Sequence, residues 1–202
     1  MPTLELPNGY YELPKGKLTT LVTCLEMVEK PAPITITWPK GVELRRFGPE
    51  DLQSFRTLFE KIGRDLMWFS RLIMPDKELK TILSNPEIES FALLQNGKAI
   101  GLLELNFESS PDCELAFFGL TNDVIGTGFG KLLMAEAKNR SWAKAITRFW
   151  VHTCHYDHPR AIGFYKASGF VPYALMIEVH DDPRLSGHLP LEASPHVALI
   201  HP

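Results

Sequence analysis

Hydrophobic and polar residues alternate along this chain with two periods, and the period changes at turn-forming residues. From 17 to 28 the alternation is loose, with Leu21, Thr23, Leu25 and Met27 on one side, which predicts an added strand or hairpin. Residues 42–47 read as the first core strand. A helix opens at Pro49 and runs to about Gly63, because Leu52, Phe55, Leu58, Phe59 and Ile62 recur at helical spacing. Asp76 stands where it can cap a short helix reaching Leu83. Strands over 88–95 and 98–107 flank Asn96-Gly97, a pair that favours a two-residue hairpin turn. Strand-like runs return at 113–120 and 147–154. Between them lies a helical stretch, 130–142, with Phe129, Leu132, Leu133 and Ala137 as its buried stripe. Asp157 or His158 then caps a helix with Pro159 in its first turn and Gly169 just past its end. A strand over 170–180 follows.

Strands interrupted by helices, with a hairpin in front, predict a mixed α/β (α+β) sheet. Six prolines in the first forty residues argue against long helices there, so 1–40 reads as an N-terminal extension. The core domain is expected over 41–180. Pro183, Pro190, Pro195 and Pro202 mark 181–202 as an irregular tail. No internal repeat is visible.

The chain turns on Ile125-Gly126-Thr127-Gly128-Phe129-Gly130-Lys131, which joins a strand to a helix. Three alternating glycines keep side chains out of the way and tolerate positive φ, so backbone N–H groups can converge. The following helix adds its free N–H groups and the positive end of its dipole, which makes an anion site suited to a phosphate or pyrophosphate. Two phosphate loops are excluded by spacing. The Walker pattern needs four residues between its glycines and then Ser or Thr; Gly126 and Gly130-Lys131 enclose three, and Leu132 follows. The dinucleotide fingerprint needs glycine where Lys131 stands.

This strand, Gly-x-Gly-x-Gly loop and helix resemble the acetyl-CoA-binding motif of the GNAT acetyltransferase superfamily. A second resemblance follows one strand later: His158-Pro159-Arg160-Ala161-Ile162-Gly163-Phe164-Tyr165, closed by Gly169-Phe170, is similar to that family's Asn-x-x-Ala-x-x-x-Tyr helix. The likeness covers roughly 42–180 and implies a mostly antiparallel sheet flanked by helices, with the 17–28 strand as an addition. It implies acetyl-CoA as cosubstrate and a primary amine as acceptor, joined by direct attack in a ternary complex. Ile125 stands where the family has Arg or Gln, and His158 where it has Asn. These departures keep open a second reading, a GNAT domain that binds acyl-CoA as a sensor or scaffold without transfer.

The resemblance assigns cofactor contacts to the main chain of Phe118, Gly119 and Leu120, to 125–131, and to His158, Ala161 and Tyr165. Tyr165 is the candidate acid for the departing sulfur. Glu114 is the candidate base, with Glu104 as runner-up; alternation places Glu114, Ala116 and Phe118 on one face, and Cys113, Leu115 and Phe117 on the other. Partial burial of Glu114 would raise its pKa towards a base's working range. Trp68, Phe69 and Arg71 fall where the family lines its acceptor pocket, and Arg71 is suited to a carboxylate. A structural role for each residue remains the competing reading.

Composition narrows the rest. The 202 residues, 45% hydrophobic and 22% charged, fit one soluble globular domain with extensions. A net charge of −3 without a basic aromatic cluster gives no support for nucleic-acid binding. No signal peptide or membrane span is expected. Three cysteines without a C-x-x-C pair point to a reducing compartment, and the cytoplasm is the plain expectation. Cys113 and Cys154 would have to serve a ping-pong route, but neither has an activating neighbour fixed by sequence. His152, Cys154, His155, Asp157 and His158 make the most metal-like cluster; a strand end plus helix cap explains them better, and no metal is expected. The added strand could extend a sheet across a homodimer boundary.

Overall fold

The computed structural model describes residues 5–202. One seven-stranded sheet organises them, built from β1 (Lys17–Met27), β2 (Val42–Arg46), β3 (Ile88–Gln95), β4 (Lys98–Asn106), β5 (Asp112–Leu120), β6 (Arg148–Cys154) and β7 (Val171–Asp181). The spatial order is β2-β3-β4-β5-β6-β1-β7, and every neighbouring pair is antiparallel except β5–β6. The mixed, mostly antiparallel sheet matches the expectation from sequence.

Helices α1 (Leu52–Gly63), α2 (Ser70–Ile73) and α3 (Asp76–Ser84) cover one face, and α4 (Phe129–Ser141) and α5 (Ala161–Ala167) the other. The apolar stripe of α1 is buried as its spacing predicts: Phe55, Leu58, Phe59 and Ile62 pack with Leu79 of α3 and Leu102 of β4. On the opposite face Phe129, Leu133 and Ala137 of α4 join Leu103, Leu105, Leu115 and Phe149 in the larger core. Leu132 packs only partly there, and Met134 is buried in its place.

Several local expectations are corrected. Asp76 is the first residue of α3 rather than its cap, and its carboxylate takes the guanidinium of Arg56 at 2.6 Å. Neither Asp157 nor His158 caps α5, whose N-cap is Arg160 with no side-chain bond. Gly169 does end α5: its N–H donates to Lys166 O (3.0 Å) and that of Phe170 to Tyr165 O (3.1 Å), a Schellman closure that fixes the Tyr165 backbone. The added strand lies inside the sheet, between β6 and β7, so it offers no edge to a second subunit. The free edges belong to β2 and β7, and β7 exposes Leu175, Ile177 and Val179 on its outward face.

Residues 182–202 contain no helix or strand, yet they are packed. Leu189 and Ala193 are buried with Leu18, Met67 and Tyr156. No helix among the described residues is long and apolar enough to cross a membrane.

Candidate active site

The site begins where two parallel strands part. β5 and β6 pair over only three positions, Asp112↔Arg148, Cys113↔Phe149 and Glu114↔Trp150. Beyond Glu114, β5 stays paired to β4 as far as Leu120, while β6 stays paired to β1 as far as Cys154. Each strand keeps its outer partner, so the inner edges diverge into a V. A bulge starts the divergence: Glu104 pairs with Phe117 and Leu105 with Leu115, leaving Ala116 as an extra residue. The bulge also reverses the expected alternation. Phe118 lies with Leu115 in the α4 core, and Phe117 in the α1 core. The Thr121 N–H donates to Ile100 O of β4 (2.8 Å), so in a regular ladder the main-chain groups of Leu120 and Phe118 turn towards the V.

A cavity of about 470 Å³ occupies the V and runs through it. On the α4–α5 side its wall includes Ile125, His158, Ala161 and Tyr165; on the α1 side it includes Glu114, His152, Glu178 and Trp68. Gly119 makes room for the aromatic wall, since a Cβ there would lie 2.5 Å from Ile62 Cγ2 and 3.3 Å from the Trp68 ring.

The glycine loop continues directly from Ile125, which lines the cavity. Gly126 and Gly128 have φ of 86° and 97°, and a Cβ on either would meet nothing within 4 Å, so both face open space. Among the described residues, the N–H groups of Gly126, Gly128, Phe129 and Gly130 have no protein acceptor. The Ile125 N–H donates to Asn122 O (3.4 Å), that of Thr127 to Val124 O (3.3 Å) and that of Lys131 to Gly128 O (3.0 Å), so three of the seven amides of 125–131 are occupied. Helix α4 has no side-chain cap, and its N-terminus opens beside these four amides.

Tyr165 is buried, with its ring edge-on to Phe118 and Phe170. Its hydroxyl makes no hydrogen bond to the described residues, and Tyr165 lines the cavity. Burial, with the charge of Asp157 added, pushes the phenol well above its ordinary value. His158 lines the cavity while its Nδ1 accepts the Arg160 N–H at 3.1 Å.

Glu114 stands at the apex of the V. Its Oε1 lies 3.3 Å from Nδ1 of His152, which is on the same sheet face two residues past its register partner Trp150. The hydrogen bond to Glu114 raises the His152 pKa; burial opposes the shift, and the charges of Asp157 and Glu178 reinforce it. Sequence reasoning met His152 only as a metal candidate. Its signal would have been the β5–β6 register, which a single chain does not reveal.

Glu104 is fully buried, with Oε1 on Arg71 at 2.6 Å and Oε2 accepting the Ser90 hydroxyl at 2.6 Å. Both oxygens are thereby committed, and the charge of Arg71, which does line the cavity, is spent on Glu104. Arg71 also sits over the Phe117 ring.

The five-residue histidine cluster disperses. His155 Nδ1 accepts the Leu21 N–H (3.0 Å), and Asp157 accepts from Thr153 (2.7 Å), Cys154 N–H (2.9 Å) and Trp68 (3.2 Å). Among the described residues no three His, Cys, Asp or Glu side chains are grouped to hold a metal. The three cysteines are free thiols; burial raises Cys24 and Cys113, and burial plus the charge of Asp157 pushes Cys154 up to about 11. None is an activated nucleophile.

Known proteins share this fold. The chain resembles a GCN5-related N-acetyltransferase from Sphaerobacter thermophilus at 15% identity and a TM-score of 0.62, over 81% of this chain and 52% of that one. It resembles a GCN5-related N-acetyltransferase from Kribbella flavida at 16% identity and a TM-score of 0.54, over 85% and 63%. An aminoglycoside acetyltransferase from an uncultured soil metagenomic sample matches at 18% identity and a TM-score of 0.54, over 64% and 88%. The chain thus spans about half the length of the Sphaerobacter protein, and these likenesses concern the fold. No curated protein sequence matches. The model of the acetyltransferase (GNAT) family matches residues 53–170, more than half of the chain, and the protein belongs to that family.

Proposed function

We propose that the protein transfers an acetyl group from acetyl-CoA to a primary amine by direct attack in a ternary complex. The observation that carries this reading is the meeting of the V-shaped parting of β5 and β6 with the unpaired amides at Gly126, Gly128, Phe129 and Gly130. Those amides and the α4 dipole suit the diphosphate of CoA. The free inner edge of β5 at Phe118 and Leu120 suits the amides of the pantetheine arm, which would add to it like a strand. This arm would bring the thioester between Tyr165 and Glu114.

The chemistry then follows from three groups. Glu114 accepts a hydrogen bond from the incoming ammonium, and the Glu114–His152 pair takes its proton. The amine nitrogen bonds to the carbonyl carbon, and the displaced electron pair moves to oxygen. An unpaired β5 N–H can donate to that oxyanion. As the intermediate collapses the C–S bond breaks and the second N–H proton passes to the departing sulfur, so CoA leaves as the thiol. A phenol near 10 is already a weaker acid than a thiol near 8.5, and burial weakens Tyr165 further. Full proton transfer to a free thiolate would therefore run uphill, which favours Tyr165 as a hydrogen-bond donor to the sulfur while negative charge develops there. The high pKa of every cysteine argues against an acetyl-cysteine intermediate.

Calorimetry with acetyl-CoA, followed by thiol release over an amine panel, tests the reading. Binding together with amine-dependent release is the expected result. Binding without release would favour an acyl-CoA sensor, for which Ile125 in place of a polar phosphate contact is the motivating feature. The three cysteines, all free thiols, support a reducing site of action, for which the cytoplasm is the proposed compartment.

A further inference from the structure

The far wall of the cavity has a one-sided chemistry. Glu114 of β5 and Glu178 of β7 both line it, on either side of His152. The Thr20 hydroxyl donates to Glu178 Oε2 at 3.2 Å, and among the described residues no Lys or Arg pairs with this carboxylate. The guanidinium on the wall, that of Arg71, is already neutralised by the buried carboxylate of Glu104 at 2.6 Å. Among the described residues the wall holds no other Lys or Arg, and His152 is itself engaged by Glu114 at 3.3 Å, so an acceptor carboxylate would meet Glu114 and Glu178. The charge of Glu178 is felt at His152, so the two carboxylates act on one space. The same cavity is lined by the aromatic rings of Trp68, Phe117 and Tyr156, which suit a methylene chain and a second ammonium.

We propose that the acceptor is a dicationic amine, one nitrogen reacting at Glu114 and a distal ammonium held by Glu178. This rests on the transferase reading for the reacting end. Glu178 is then a specificity-determining residue that takes no part in the bond-making step, and the amino-acid class of acceptor is disfavoured.

Three acceptors of equal chain length isolate the claim: a four-carbon α,ω-diamine, the four-carbon monoamine, and ornithine, which is the diamine skeleton carrying a carboxylate. With the full chain and saturating acetyl-CoA, the diamine should show the highest kcat/KM. Measured at a pH above the His152 titration, where the loss of the Glu178 charge no longer alters the protonation of that imidazole, Glu178→Gln should cut the diamine's kcat/KM about fivefold, through KM, while leaving the monoamine and the KM for acetyl-CoA unchanged. Calorimetry of the diamine with CoA present reads the same contact without turnover, and the same substitution should weaken it by the same factor. Ornithine or the monoamine matching the diamine would overturn the proposal, as would an unaltered diamine preference in Glu178→Gln. Diamine binding that depends on Glu178 without any thiol release would keep the proposal and remove the transferase reading instead.

Discussion

The indole N–H of Trp68 donates to a carboxylate oxygen of Asp157 at 3.2 Å, joining the loop after α1 to the turn after β6 across the opening of the V. The indole also packs on Phe59 and Phe117, so one side chain is held to both arms. Trp68→Phe keeps a ring on the aromatic wall but removes the bridge. Asp157 retains Thr153 and the Cys154 N–H, so the stability loss should stay near 1 kcal/mol. The acceptor KM should rise, because the arms are no longer tied. Urea unfolding and steady-state kinetics read the two effects separately, and an unchanged acceptor KM would confine the bridge to stability.

Gly128 gives a test of the amide cradle. A Cβ there meets nothing within 4 Å, so the φ of 97° is the obstacle to alanine, at about 1–2 kcal/mol. Gly128→Ala should relax the loop, turn the 128–130 amides away from a common point and weaken acetyl-CoA binding by about tenfold. Gly163→Ala is the matched control, since its Cβ also enters open space and its φ is ordinary for a helix. Equal affinities in the two variants would dissociate the loop from the cofactor.

The order of strands and helices was legible because each element carries its own period, as in Phe55, Leu58, Phe59 and Ile62 of α1. The glycine loop was legible because its function needs missing side chains, and missing side chains are visible in a sequence. What was hidden depends on pairing between distant segments. The insertion of β1 between β6 and β7 and the bulge at Ala116 leave no mark in one chain. The same blindness hid His152, which acquires Glu114 only through the β5–β6 register. Glu104 could not be told from Glu114 by residue type. Burial separates them: one is locked to Arg71 and Ser90, the other opens to the cavity.

Tyr165→Phe removes a hydroxyl that has no partner among the described residues, so the fold should lose little. If the hydroxyl meets the departing sulfur, kcat should fall about ten- to hundredfold while the acetyl-CoA KM changes much less. An acetyl ester of a more acidic thiol needs less help at its sulfur, so the variant's deficit should shrink with it. A deficit independent of the thiol would remove Tyr165 from the leaving-group step.

The Glu114–His152 pair predicts a pH signature. The folded pKa of His152 lies above the ordinary value of about 6.5, chiefly through its bond to Glu114. The pairing therefore contributes stability in full below about pH 6.5, and that contribution is lost as pH rises through the elevated folded value. Activity has the opposite dependence, because the pair accepts a proton only once His152 is neutral. Glu114→Gln should move the imidazole titration, followed by NMR, to lower pH and carry the acid limb of kcat/KM with it. A limb that stays in place while the NMR titration moves would assign proton acceptance to another group.

Arg184 predicts how far the C-terminal segment supports the site. It is buried beside Asp182 at 2.7 Å and donates to the carbonyls of Val197 (2.8 Å), Ala198 (3.2 Å) and Ala193 (3.4 Å). One guanidinium thus gathers residues 182–198 into a knot, which packs Leu189 and Ala193 against Met67 and Tyr156. Both Met67 and Tyr156 line the cavity, so loosening the knot loosens the acceptor wall. Arg184→Ala strands a buried carboxylate and three carbonyls, a loss of about 3–5 kcal/mol. Replacement by lysine restores the charge but not the fork that reaches several carbonyls, and should recover only part of it. Hydrogen exchange should speed up across 185–198 in both variants, and acceptor KM should rise while acetyl-CoA affinity holds, since none of the residues 126–130 packs in this cluster. If exchange in 185–198 is unchanged in Arg184→Ala, the segment is held by its apolar contacts and the guanidinium is dispensable.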